Sequence, residues 1–459
     1  MRHTPSLLGG AALSALLTVC VAMPAQAKPT RHHAAAASSG AEAQEIRELR
    51  EEVGLLTARL NSQDAAAQQT KADAAQAKAD AQAATVQVQA VQAQASDEIR
   101  RIPADVQTAV AAIPKPKPGW EGSTSVSGRV YMDLSNISMK SNGVTPAGAP
   151  TGTNFDIKRF YFGIDHKFNN TFSANVTTDF NYDSGPAGAT QLYIKKAYLQ
   201  AKLNDAFVVR LGSADLPWVP FVEDIYGYRY VENVMIDRTK FGTSADWGAH
   251  VSGKLPAGGV TINYAFSAVN GMGYKKPGFI AGVNRSQSMD FEGRVSATAN
   301  GFTVAVGGYE GKLGNAVQGT ATFHDATRFD ALAAYVNKRF RIGGEYFYAN
   351  DWADVKQANP LLVNSTEGFS GFGSFKVTDK VAVFGRYDWV KPKRNTAPTE
   401  NNNYFNVGVS YEPTAIVDLA LLYKREKVDN GTLATQNGTI GGTIDGTYDE
   451  VGLFTQVRW

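Results

Sequence analysis

The stretch Phe172-Ser173-Ala174-Asn175-Val176-Thr177-Thr178-Asp179-Phe180-Asn181-Tyr182 alternates without a break. In an extended chain Phe172, Ala174, Val176, Thr178, Phe180 and Tyr182 share one face, and Ser173, Asn175, Thr177, Asp179 and Asn181 share the other. A period of two is a β-strand, and about ten residues is the length that crosses a bilayer at a tilt. The pattern recurs in Val126, Gly128, Val130, Met132 and Leu134 against Arg129, Tyr131 and Asp133. It returns in Val260, Ile262, Tyr264 and Phe266, then in Phe291, Gly293, Val295 and Ala297 opposite Asp290, Glu292, Arg294 and Ser296. A soluble sandwich also alternates, but it rarely sustains so many long strands with charges on the second face. The pattern predicts an all-β transmembrane barrel over residues 121–459.

The turns supply the count. Short polar turns fall at Asn169-Asn170, Asn204-Asp205, Pro256-Ala257-Gly258, Asn300-Gly301, Lys338-Arg339, Asp379-Lys380 and Pro413-Thr414, with longer irregular segments between them. Alternating short and long connections mark an outer-membrane barrel. Seven short turns imply eight hairpins, hence about sixteen antiparallel strands. The final strand places Val451, Leu453, Thr455, Val457 and Trp459 outward, with Glu450, Gln456 and Arg458 inward. An aromatic end is the type of terminus that barrel-insertion machinery reads.

The N-terminal quarter has a different rhythm. Arg2 and His3, an apolar run from Leu7 and Ala25-Gln26-Ala27 read as a signal peptide over 1–27. Leu17-Thr18-Val19-Cys20 departs from an acylation motif at the bulky Val19. Cys20 is the single cysteine of the 459 residues, so a processed chain holds no disulfide or thiolate site. Residues 28–40 read as disordered. Ile46, Leu49, Val53, Leu56 and Leu60 then step by threes and fours, predicting a helical coiled coil over 41–102 whose seam needs a partner. Residues 103–120, with Ile-Pro-Lys-Pro-Lys-Pro-Gly, read as a stiff Pro-rich linker. The formal charge of +2 lacks the basic excess of a nucleic-acid binder. Past residue 27 no run of 18 apolar residues offers a helical span.

Sixteen strands leave a wet lumen. Inward parity collects Arg129, Arg159, Lys196, Lys202, Arg210, Arg294 and Arg386 as candidate pore-lining, anion-contacting cations. Buried dry, such charges would cost several kcal/mol each, whereas lining water they form an ion-sorting field. One segment, about 212–245, breaks the strand rhythm. It carries Trp218, Phe221, Tyr226, Tyr228 and Tyr230, with Arg229, Arg238 and Lys240 against five acids. A loop this apolar is expected to fold inward and narrow the bore.

Three segments carry a family likeness: Ile157-Lys158-Arg159-Phe160-Tyr161-Phe162-Gly163-Ile164, Ile194-Lys195-Lys196-Ala197-Tyr198-Leu199, and Arg210-Leu211-Gly212 through Pro217 into Tyr226–Asn233. In these the chain resembles the phosphate-selective porin O and P family of outer-membrane porins. The resemblance implies sixteen strands, a homotrimer, an inward constriction loop and passive uptake of anions such as phosphate. The barrel region departs from a phosphate filter in holding 33 Lys/Arg against 32 Asp/Glu, with a net acidic loop. Porin is therefore the firmer reading, with Lys158, Arg159, Lys195, Lys196, Lys202 and Arg210 as a basic stripe.

No nucleophile motif accompanies His166, His250 and His324, so no enzyme, cofactor or metal site is expected. The Gly-rich run Gly438–Gly446 lacks Gly-Lys-Ser/Thr and reads as an external loop. Expected partners are outer-membrane lipid and lipopolysaccharide, two further copies of the chain, insertion machinery, and peptidoglycan through the coiled coil. The competing readings are a carbohydrate channel, with the loop aromatics stacking on sugars, and an envelope tether or adhesin anchored by the barrel.

Overall fold

The computed structural model describes residues 123–182, 190–275, 285–359 and 361–459, with a set of positions between 47 and 90. The expected signal (1–27), disordered stretch (28–40) and Pro-rich linker (103–120) lie outside the described residues. The chain forms two units, one ending at Pro114 and one beginning at Lys115. In the first, the described residues between Arg47 and Ala90 are helical and exposed, the seam residues Val53, Leu56 and Leu60 included.

The second unit is a closed antiparallel barrel of sixteen strands. Strands β1–β5 span Thr124–Ser141, Gly152–Lys167, Phe172–Tyr182, Thr190–Asn204 and Phe207–Asp215. Strands β6–β10 span Ala245–Ala257, Val260–Val269, Asp290–Ala299, Phe302–Gly311 and Ala326–Val336. Strands β11–β16 span Phe340–Asn350, Ser365–Lys376, Val381–Lys391, Asn401–Thr414, Val417–Thr435 and Gly438–Arg458. Each pairs with its chain neighbours, and β16 closes on β1 with Val130 opposite Val457. Closure leaves no free edge, which is what lets strands stand in lipid. The seven short turns fall within two residues of where the sequence places them, the second at Asp205-Ala206, the third at Gly258-Gly259 and the last at Ala415-Ile416.

Alternation sorts the side chains. Val126, Leu134, Phe172, Val176, Phe266, Phe291, Val295, Val451 and Leu453 are exposed on the outer face. Tyr131, Asp133, Asn175, Asp179, Asp290, Glu292, Glu450 and Gln456 are buried within. At the seam, the backbone of Trp459 exchanges hydrogen bonds with Gly128 at 3.0 and 3.1 Å. Its indole lies over Gly128, where a Cβ would come within 1.9 Å of the ring, so only glycine fits.

Of the five register shifts in the described barrel wall, two bring extra cations inward. Tyr131 faces Arg159 and Met132 faces Ile157, leaving Lys158 extra on β2. Thr177 faces Lys196 and Thr178 faces Ile194, leaving Lys195 extra on β4. A bulge lets two successive side chains share one face, so Lys158 with Arg159, and Lys195 with Lys196, all reach the interior.

The run Gly438–Gly446 is not a loop. It opens β16, pairing Thr435 with Gly438 and Gly431 with Gly442. The reason is Ile440, which is buried in an apolar cluster with Met139, Val428, Leu433 and Tyr448 and holds the run to the sheet.

Candidate functional site

Between β5 and β6 the chain leaves the wall and crosses the lumen. This segment contains two helices that the strand-based reading did not anticipate: α1, Val219–Tyr226, and α2, Met235–Arg238. Pro220 opens α1, and Gly227, left-handed at φ 77°, closes it. Its apolar residues face one side of the barrel. Trp218, Val219, Val222, Tyr226, Met235, Ile236 and Phe241 pack on Ala305, Leu332, Ala334, Phe347, Phe372 and Val390 of β9–β13. Tyr230 and Val231 continue onto Phe384, Leu422 and Phe454.

Polar stitching reinforces this docking. Arg294, Arg328, Arg341 and Arg386, from β8, β10, β11 and β13, donate to the loop carbonyls of Pro217, Phe241, Asp224 and Asn233 at 2.7–2.8 Å. Arg341 also bonds the carbonyl of Ile225, so its charge sits on the C-terminal end of α1, the favourable end of the helix dipole. The Trp218 indole donates to Glu345 at 2.8 Å, and its backbone to Glu292 at 2.9 Å. Arg238 is fully buried between Asp388, at 3.0 Å, and Glu426. Lys424 bridges Glu232 of the loop and Glu450 at 3.1 and 2.7 Å.

Of the candidate anion contacts, Arg386 is buried under the loop, whereas Arg294 and Lys202 have taken protein partners yet still line a cavity. Arg386 is 4% exposed and pairs with Asp388 at 2.6 Å, so it holds the loop and does not line water. Arg294 lies against the Phe221 ring at 3.9 Å and is tied to Pro217. Lys202 pairs with Asp205 at 2.7 Å beside the β4–β5 turn, at the rim of the barrel. Beneath the loop the inward charges Arg328, Arg386 and Asp388 are buried, because the loop covers them and supplies partners that offset desolvation. Among the loop residues, Trp218, Tyr226, Tyr230 and Arg238 are buried packing and pairing groups, and Tyr228 stacks on Phe384 at 4.1 Å.

On the opposite wall, β1–β5, the loop touches Tyr131 through Tyr230, ring centroids 6.5 Å apart, and cavities open beside that contact. Arg129, Arg159, Lys196 and Arg210 gather there as the sequence places them. Two cavities adjoin them. One of about 720 Å³ is lined by Arg129, Tyr131, Tyr161, Lys195, Lys196 and the loop residues Glu223, Asp224 and Arg229, among others. One of about 640 Å³ includes Arg210, Phe221, His250 and Arg294. Both touch Asp215, Pro220 and Asp224, so the α1 face toward β1–β5 borders each. A third cavity, about 370 Å³, lies toward the long loops and is lined by Arg159, Asp237, Tyr274 and Lys275.

Charge pairing across this gap is uneven. Arg159 meets Asp179 at 3.4 Å, Lys196 meets Asp215 at 2.5 Å, and Arg229 pairs with Glu223. Arg129 reaches only the Tyr131 hydroxyl, at 3.4 Å, and Arg210 bonds Gln200 at 2.8 Å. Lys195, on the β4 bulge, bonds the Tyr161 hydroxyl at 3.4 Å and lies 4.6 and 5.7 Å from the Tyr161 and Tyr274 rings. Among the described residues these three cations have no carboxylate partner.

The histidines stand apart in separate structural bonds: His166 with Thr124, His250 with Ser267 at 2.8 Å, and His324 beside Asp351 at 3.3 Å.

No protein-family model matches the chain, and no curated protein matches it. Among solved structures it is similar to an anion-selective porin from Comamonas acidovorans, 15% identical, aligned over 73% of this chain and 99% of that one, with a TM-score of 0.52. The trimer form of OmpT from Vibrio cholerae aligns over 73% and 99% at 15% identity and TM-score 0.48. The outer-membrane channel DcaP of Acinetobacter baumannii aligns over 73% and 97% at 12% identity and TM-score 0.49. At such identities the likeness is one of architecture: the chain has the closed sixteen-stranded barrel fold of the outer-membrane porins.

Proposed function

We propose that this chain is an outer-membrane porin that passes small hydrophilic solutes by passive diffusion, with a preference for anions. The observation that carries the reading is the asymmetry of the lumen. An apolar, stapled loop fills one side, and open cavities flanked by Arg129, Lys195 and Arg210 remain on the other. A unit charge about 4 Å from a passing ion in water is worth about 1 kcal/mol, about a fivefold local enrichment of anions. The work is done by excluded volume and by this field; no chemical step is required.

The phosphate selectivity implied by the family resemblance is the finer form of this reading. Its support is the basic stripe, thinned by the pairing of Lys196 and Arg159. The carbohydrate reading loses its main support, because Trp218, Tyr226 and Tyr230 are buried and have no free ring face for a sugar. The N-terminal helix fits a coiled coil that reinforces a homotrimer, with its exposed seam as the surface to be covered. In that reading the helix lies in the periplasm, within reach of peptidoglycan, and the barrel meets lipid and lipopolysaccharide. A tether built on this helix is compatible with a channel.

Planar-bilayer recording of the purified protein is the test. Conductance steps grouped in threes and a reversal potential on the anion side are expected. Silence across a range of salts contradicts the reading.

A further inference from the structure

The 720 Å³ cavity lies within the about 300–1,000 Å³ range of sites for small organic molecules. Its charges sort into satisfied and unsatisfied groups. Lys196 is held by Asp215, Arg229 by Glu223, and Arg458 by Asp418 at 2.6 Å. That leaves two cations on the wall, Arg129 and Lys195, and one carboxylate on the loop, Asp224, without an ion pair among the described residues. Lys195 is 7% exposed. A buried ammonium without a counter-charge is costly and is normally paired. Here the carboxylate that acts on it, Glu223, is taken up by Arg229, and among the described residues no carboxylate lies within ion-pair distance while it borders a cavity.

We infer that this cavity is a binding subsite for acidic amino acids, with their two carboxylates toward Arg129 and Lys195 and their ammonium toward Asp224. The inference rests on the porin reading and deepens it. Two cations and one anion complement a solute bearing two carboxylates and one ammonium. An inorganic dianion is a poorer match. It would be far smaller than the cavity, it would use only the two cations, and Asp224 would repel it. A neutral sugar would leave all three charges unanswered. The bulge on β4 is what creates the site, because strict alternation would turn either Lys195 or Lys196 toward lipid.

The test records current through the full-length protein in planar bilayers while L-glutamate, glutarate or inorganic phosphate is titrated in. Saturable reduction of the chloride current by L-glutamate is expected at lower concentration than by glutarate or phosphate. Asp224 is exposed, so Asp224→Asn keeps the fold. It should weaken the glutamate effect about fivefold, the equivalent of about 1 kcal/mol, while glutarate binds as well or better. Lys195→Met should weaken both. Equal shifts for glutamate and glutarate in Asp224→Asn overturn the subsite, as does a conducting channel that glutamate leaves unsaturated. An inserted protein that conducts nothing overturns the porin reading, and the subsite with it.

Discussion

Arg129 and Arg386 have the same parity, the same chemistry and opposite surroundings. Arg129 lies on β1 beside a cavity with the Tyr131 phenol as its hydrogen-bond partner and no ion pair, whereas Arg386 lies on β13 beneath the loop and against Asp388. Their substitutions should differ accordingly. Arg129→Ala should shift the reversal potential toward cations while the barrel melts as before, read by ion-substitution recording and thermal denaturation. Arg386→Ala strips a buried pair of one partner, a loss of about 3–5 kcal/mol in comparable sites, and should lower the melting temperature and disorder the loop. Parity was legible in the sequence for both residues. Which wall the loop would cover was not, because that depends on contacts between β5–β6 and β9–β16 far apart in the chain. The bulges at Lys158 and Lys195 were equally hidden: each adds one residue to a strand that otherwise alternates, and no local signal marks it.

The lumen loop behaves as an element with one apolar side and one charged side. Trp218, fully buried with its indole on Glu345, is its anchor. Trp218→Ala, a truncation of the kind that costs about 3–5 kcal/mol, should release the N-terminal half of the loop. Single-channel recording should then show a larger and noisier conductance; an unchanged conductance would contradict the docking described here. The C-terminal half is held by Glu232. Burial pushes its carboxyl up, but the Lys424 ammonium and then Lys158 outweigh burial and pull it from 4.5 down to about 2. A carboxyl lowered on folding stabilises above its unfolded value, and that stabilisation is lost as pH falls from about 4.5 toward about 2. Glu232→Gln should therefore melt below the unsubstituted protein at pH 7, and the two should converge near pH 2. An inward loop was legible from its aromatics and its length. Its helices were not, because α1 and α2 are only eight and four residues long and carry no extended helical period.

At the scale of the whole barrel the count of sixteen strands was readable, since turns and alternation are local properties of the chain. The outer surface adds a feature that counting does not give. Tyr346, Tyr387 and Tyr411 are exposed on β11, β13 and β14, whereas the exposed large residues of β1–β5 are aliphatic or phenylalanine, as at Phe155, Phe160, Leu192, Leu199 and Leu211. Tyrosine suits a membrane–water interface; β6–β10 share the aliphatic and phenylalanine surface of β1–β5, as at Leu255, Phe266, Phe291 and Val304, and Leu199 is one exposed position on it. Leu199→Lys should dissociate the proposed trimer while sparing the barrel, as read by semi-native electrophoresis. Deleting residues 41–112 should leave conductance intact if the helix is a spacer. Reversal potential in a salt gradient reads out the passage along the β1–β5 wall and its unpaired cations. An anion-selective potential that moves stepwise toward zero in Arg129→Ala, Arg210→Ala and their combination is expected. A cation-selective potential, or one that none of these substitutions moves, would contradict it.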